Sequence, residues 1–113
     1  MLEKVSQVVL LKDFYGPLLT AKQQDVLNMH YEDDWSLSEI ANSMNTSRQA
    51  VYDLAKRAEG ILQEYEDKLG LVAKFQRIGQ NLDELRLILE DAKVDNPRLS
   101  QAVSLIEEIW GLL

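Results

Sequence analysis

Residues Ser36 to Arg57, SLSEIANSMNTSRQAVYDLAKR, read as two short helices joined by a tight turn. Ser36 and Glu39 stand three apart at the head of an apolar run, the capping-box spacing in which each side chain answers an orphan backbone amide of the other residue. Ser47 offers a second N-cap. Between them Asn45 sits where the chain must reverse, and Asn enters the left-handed region more cheaply than most residues other than Gly. Ile40, Ala41, Val51 and Leu54 fall on the facing sides of the two helices, with a small residue at the crossing. Together these features predict a helix-turn-helix. The outer face of its second helix carries Arg48, Gln49, Tyr52, Lys56 and Arg57, side chains able to reach phosphates or base edges in a major groove.

Working outward, residues 2–14 form a first helix with Leu2, Val5, Val8, Val9 and Leu11 on one broad face, stopped by Tyr15-Gly16-Pro17. Thr20 and Gln23 repeat the capping-box spacing and open a second helix, which runs to about Tyr31 and buries Val26 and Leu27. Glu32-Asp33-Asp34 lacks the alternating ligands and turn glycine of a calcium loop and reads as a solvated connector. Trp35 stands where a hydrophobic staple would pack onto Ile40 and anchor the core.

Beyond the motif, the helix from Ser47 continues through Ala58, Ile61, Leu62, Tyr65 and Leu69. Gly60 weakens it by about 1 kcal/mol relative to Ala, and Gly70 marks its end. Val72, Phe75, Ile78, Leu82, Leu85 and Leu89 carry the spacing on to about residue 92. Lys93 to Pro97 reads as a turn, and Leu99, Val103, Ile106 and Trp110 mark a last helix. The expected architecture is all-α, with a helix-turn-helix domain over 1–70 and a C-terminal helical extension over 71–113. The apolar stripes of that extension need a partner, either the first helix or a second copy in a homodimer.

Composition agrees: 46% of the 113 residues are apolar, with five glycines and two prolines. Cysteine is absent, so no disulfide or thiolate metal site exists, and the single histidine, His30, lacks a partner cluster. No nucleophile elbow, phosphate-cradling glycine loop or HExxH pair occurs, so neither an enzyme nor a cofactor is expected. No run approaches the roughly 20 apolar residues of a membrane span, and the expectation is a cytoplasmic protein without membrane insertion.

Charge is the counterweight. The formal net charge is −7, and nine acids against six bases over residues 1–60 leave −3 there. Within 47–60, Arg48, Lys56 and Arg57 face Asp53 and Glu59, a local balance of +1. Because phosphate neutralisation drives most nucleic-acid affinity, this supports weak, salt-sensitive or dimer-dependent binding to duplex DNA.

The segments FYGPLLT (Phe14 to Thr20), SLSEIA (Ser36 to Ala41), SRQAVYDLAKRAE (Ser47 to Glu59) and YEDKLGL (Tyr65 to Leu71) resemble the YlxM family of small bacterial helix-turn-helix proteins. More distantly, Leu19 through Leu62 is similar to region 4 of bacterial sigma factors, which reads the promoter −35 element. The resemblance implies a regulatory protein with a sigma-region-4-like domain, encoded beside genes of the signal recognition particle and associated with that secretion pathway. It implies DNA-binding roles for Arg48, Gln49, Tyr52, Lys56 and Arg57, with Ser47 near a phosphate. Ala55 departs from the larger aliphatic residue that the pattern expects there. The alternative is an accessory module that meets the particle's protein or RNA, with the helix-turn-helix only a scaffold.

Overall fold

The computed structural model describes residues 2–92 and 96–113, with side chains from Val5 onward. Among them are α1 (Leu2–Tyr15), a 3-10 turn over Gly16–Leu18, α2 (Ala21–Tyr31), α3 (Leu37–Ser43), α4 (Arg48–Leu69), α5 (Leu71–Asp91) and α6 (Pro97–Leu112), and no strand. The chain divides into two compact units, residues 1–72 and 73–113, with the division inside α5.

In the first unit α4 is the hub and packs against each of α1, α2 and α3. Val51, Ala55, Ala58 and Leu62 recur at helical spacing on its buried side. Two alanines in that stripe let the neighbouring helices approach closely. Ala55, short for the family pattern, is buried for this reason, while Leu54, expected to face inward, is only partly covered. Val26 and Leu27 from α2 and Ile40 from α3 close the core against this stripe.

The face of α1 is narrower than its sequence suggests. Val8 and Leu11 are buried, but Val5 is 42% exposed, and the Leu2 side chain lies outside the described residues. Lys12 is buried instead. Its ammonium donates to Asn28 Oδ1 at 2.7 Å and pairs with Glu32, so the stem packs while the charge is answered from α2.

The acidic connector is therefore more than a solvated link. Glu32 pairs with Lys12, and Asp34 adopts a left-handed conformation (φ 58°) that turns the chain back, so that the Trp35 amide donates to the Met29 carbonyl at 3.0 Å. His30 Nδ1–H donates to the Trp35 carbonyl at 3.0 Å, which assigns the proton to that nitrogen because a carbonyl can only accept. Trp35 stays 37% exposed and does not enter the core: the connector holds it by its backbone.

Both expected capping boxes form, at Thr20 with Gln23 and at Ser36 with Glu39. At the far end of α4, Gly70 takes the left-handed conformation (φ 62°) and its amide closes on Glu66 O at 2.7 Å. A glycine there cannot cap α5 with a side chain, and groups from elsewhere do so. Tyr15 Oη accepts from the Leu71 amide (3.1 Å) and Glu66 Oε1 from the Val72 amide (2.9 Å), while the Tyr15 hydroxyl donates to Glu66 at 2.6 Å. The Tyr15 ring stacks on Tyr65 at 5.8 Å. One tyrosine of α1 thus locks the α4–α5 junction.

Gly60 is mid-helix with open space where a Cβ would stand. Gly60→Ala is expected to stabilise the fold by about 1 kcal/mol, by helix propensity alone. A thermal melt that fails to rise would mean the glycine serves a contact.

In the second unit, α6 runs antiparallel to α5. Trp110 near its end lies on Gly79, where any Cβ would collide with the indole, and Leu99 and Val103 near its start share a groove with Leu89. Residues 93–95 of the expected turn lie outside the described residues. Pro97 is not part of that turn: it is the first residue of α6, where its missing N–H costs nothing, and Asn96 caps the helix by accepting from Arg98 N at 2.9 Å.

Candidate nucleic-acid interface

The helix-turn-helix is α3, its turn and the first third of α4. Ser36 Oγ accepts from the Glu39 amide at 3.1 Å, and Glu39 Oε1 accepts from the Ser36 amide at 3.3 Å. Asn45 is left-handed (φ 53°), so the Thr46 amide reaches back to Ala41 O at 3.0 Å and the Asn45 amide to Asn42 O at 3.4 Å. These are the paired bonds of a left-handed helix stop. Ser47 Oγ then accepts from the Ala50 amide at 3.1 Å and starts α4. Its hydroxyl proton remains available to an anion.

All six predicted site residues, Ser47, Arg48, Gln49, Tyr52, Lys56 and Arg57, are exposed on this N-terminal part of α4. They are not equivalent. Gln49 Nε2 donates to Asp53 Oδ1 at 3.0 Å. Lys56 stands 5.7 Å above the Tyr52 ring and 3.8 Å from Glu59. Glu59 in turn accepts from the Tyr31 hydroxyl, and burial together with that carboxylate pushes the Tyr31 phenol well above its ordinary value. Among the described residues, Arg48 and Arg57 make no ion pair.

Two features go beyond what the sequence showed. Asp53, counted there only in the charge balance, projects from the middle of the exposed face, between Gln49 and Arg57. The Gln49–Asp53 spacing of four was the available signal. Beside that face, His30, Tyr31, Leu37, Tyr52, Lys56 and Glu59 line a concavity of about 150 Å³. Only the folded α2–α4 contact brings those residues together.

A capped short helix, a left-handed stop and a second helix with a polar outer face define a helix-turn-helix protein. The family model described as "Putative helix-turn-helix protein, YlxM / p13 like" matches residues 2–104, and the chain belongs to this family, UPF0122. A UPF0122 protein of Bacillus mycoides is 45% identical over 109 residues, covering 96% of this chain and 99% of its own length. Another, from Symbiobacterium thermophilum, is 46% identical over 101 residues, covering 89% and 94%. The family match extends past residue 75, through α5 and into α6. No helix among the described residues is long and apolar enough to cross a membrane.

Proposed function

We propose that this protein is a DNA-binding regulator that lays the start of α4 in the major groove. The observation that carries this reading is the exposed N-terminus of α4. Ser47 and Arg48 present a hydroxyl and an ion-pair-free cation there, beside the positive end of a 22-residue helix dipole, and Arg57, nine residues further along the helix, adds a second exposed cation. Fluorescence anisotropy on duplex DNA across a salt series tests it. Arg48→Ala with Arg57→Ala is expected to weaken binding at least roughly tenfold and to lower the salt slope by about 2. Asp53→Asn is expected to tighten binding, because it removes a like charge facing phosphate. Absence of binding near 50 mM salt, or indifference to all three changes, overturns the reading.

One observation favours a second reading. Gln49 and Lys56 are engaged by the chain's own Asp53, Glu59 and Tyr52, and the chain is acidic overall. In that reading the motif is a scaffold and the protein is an accessory of the signal recognition particle, meeting its basic protein or its RNA. Co-purification with the particle that survives Arg48→Ala with Arg57→Ala, in a variant with intact circular dichroism, would select it.

A further inference from the structure

We propose that α5 and α6 present one continuous apolar face that docks on a second copy of this chain in a two-fold dimer. The stripes facing the α5–α6 contact, with Gly79 against Trp110 and Leu89 near Leu99, are already partnered inside the unit. A second set is not. Leu85 and Ile88 on α5 and Leu105, Ile109 and Leu112 on α6 are between 45% and 80% exposed. They recur three and four apart, as a buried helical face does.

Helix handedness puts both stripes on the same side of the hairpin. In α5 the exposed residues lie anticlockwise of the α6-facing stripe when viewed from the helix start. The same sense of offset occurs in α6, and because the helices are antiparallel the two offsets converge on one side. The opposite side is identified independently, since Glu90, Ser100, Ser104 and Glu107 line an open groove of about 430 Å³ there. The hairpin therefore has one side richer in exposed apolar side chains, with Leu87, 56% exposed, the large apolar residue that falls on the other.

Two arguments select a second copy as the occupant. By its fractional exposures the stripe bares roughly 500 Å² per chain, within what monomers leave bare and somewhat over half of the about 800 Å² that each partner gives a standard interface. Flanking polar stems supply the rest. The face is also complementary to itself. By the Gly79–Trp110 register, Arg77 lies level with the end of α6 and Asp91 with its start. A two-fold along the helices packs α5 on the partner's α6, antiparallel, which sets Asp91 near a second Arg98. The product is a four-helix bundle of ordinary topology.

Sedimentation equilibrium on the full chain from about 1 to 100 µM tests this. A reversible dimer with Kd below about 10 µM is expected, and Leu105→Glu with Ile109→Glu should weaken it at least roughly tenfold with helicity unchanged. Asp91→Arg should weaken it and Asp91→Arg with Arg98→Asp should restore it, a readout independent of hydrophobic truncation. A monomer at 100 µM assigns the face to another partner and overturns the proposal. So do association untouched by the two glutamates, association that grows past a dimer, and a charge swap that restores nothing. Duplex binding is read separately, so either proposal can fail alone.

Discussion

Leu62→Ala is expected to destabilise the first unit by about 3 kcal/mol, within the range for a buried leucine whose surroundings cannot collapse into the space. Leu62 is fully enclosed on α4, five residues beyond the last predicted site residue. For a unit of this size the loss corresponds to a fall in Tm of roughly 15 °C, followed by circular dichroism. Leu69→Ala, on the same helix but 55% exposed, should change stability by less than about 0.5 kcal/mol. Equal effects at the two positions would mean that the long α4 is not the hub of the fold.

The second large effect concerns Tyr15. Tyr15→Phe keeps the ring stacked on Tyr65 but removes the hydroxyl that donates to Glu66 and accepts from the Leu71 amide, leaving both without that partner at the α4–α5 junction. The cost is expected as a fall in Tm of roughly 5 to 10 °C at pH 7. The pH dependence carries a second signature. Burial first, and then the Glu66 carboxylate, hold the Tyr15 phenol above its ordinary value, and burial and Glu59 do the same at Tyr31. The unfolded chain loses these protons near pH 10 while the folded chain keeps them. The stabilisation is therefore whole below pH 10 and declines as pH rises from there toward the folded-state values. Denaturant midpoints at pH 8 and pH 11 should diverge in the wild type and diverge less in Tyr15→Phe. An identical divergence in both would assign the alkaline loss elsewhere.

Much of the helix-turn-helix was legible because its signals are local. A capping box needs residues three apart, a left-handed stop needs one tolerant residue, and a buried face needs a repeat of three and four. Ser36 with Glu39, Asn45, Ser47 and the Val51–Leu62 stripe meet those conditions within one helical span. The apolar repeat was less reliable where two faces compete. In the C-terminal helices it merged two faces: Leu85, read with the stripe that α5 turns to α6, is 45% exposed and belongs with Ile88, Leu105 and Ile109, which went unremarked.

Other features depend on residues distant in sequence. Nothing in the sequence marks Lys12 as buried; Asn28 of α2 and Glu32 just past its end come to it only in the fold. Trp35 reads as a core anchor until the left-handed Asp34 sets the path of the chain. Gly79 carries no sequence signal, because its reason is an indole 31 residues away. At the candidate site, sequence could nominate Arg48, Lys56 and Arg57 together, but only packing separates them, by drawing Lys56 onto Tyr52 and Glu59 and leaving the two arginines outside.

The sequence by itself determined that the chain is helical, where most helices start and stop, and that Ser36 to Arg57 is a helix-turn-helix. Each of those outcomes is settled by backbone hydrogen bonds and periodicity within a few residues. Tertiary structure decided which charges remain available on α4, how Tyr15 caps a helix 56 residues further along, and which apolar face is still uncovered. Those outcomes depend on which side chains compete for the same space and the same protons, and that competition arises only when distant segments meet.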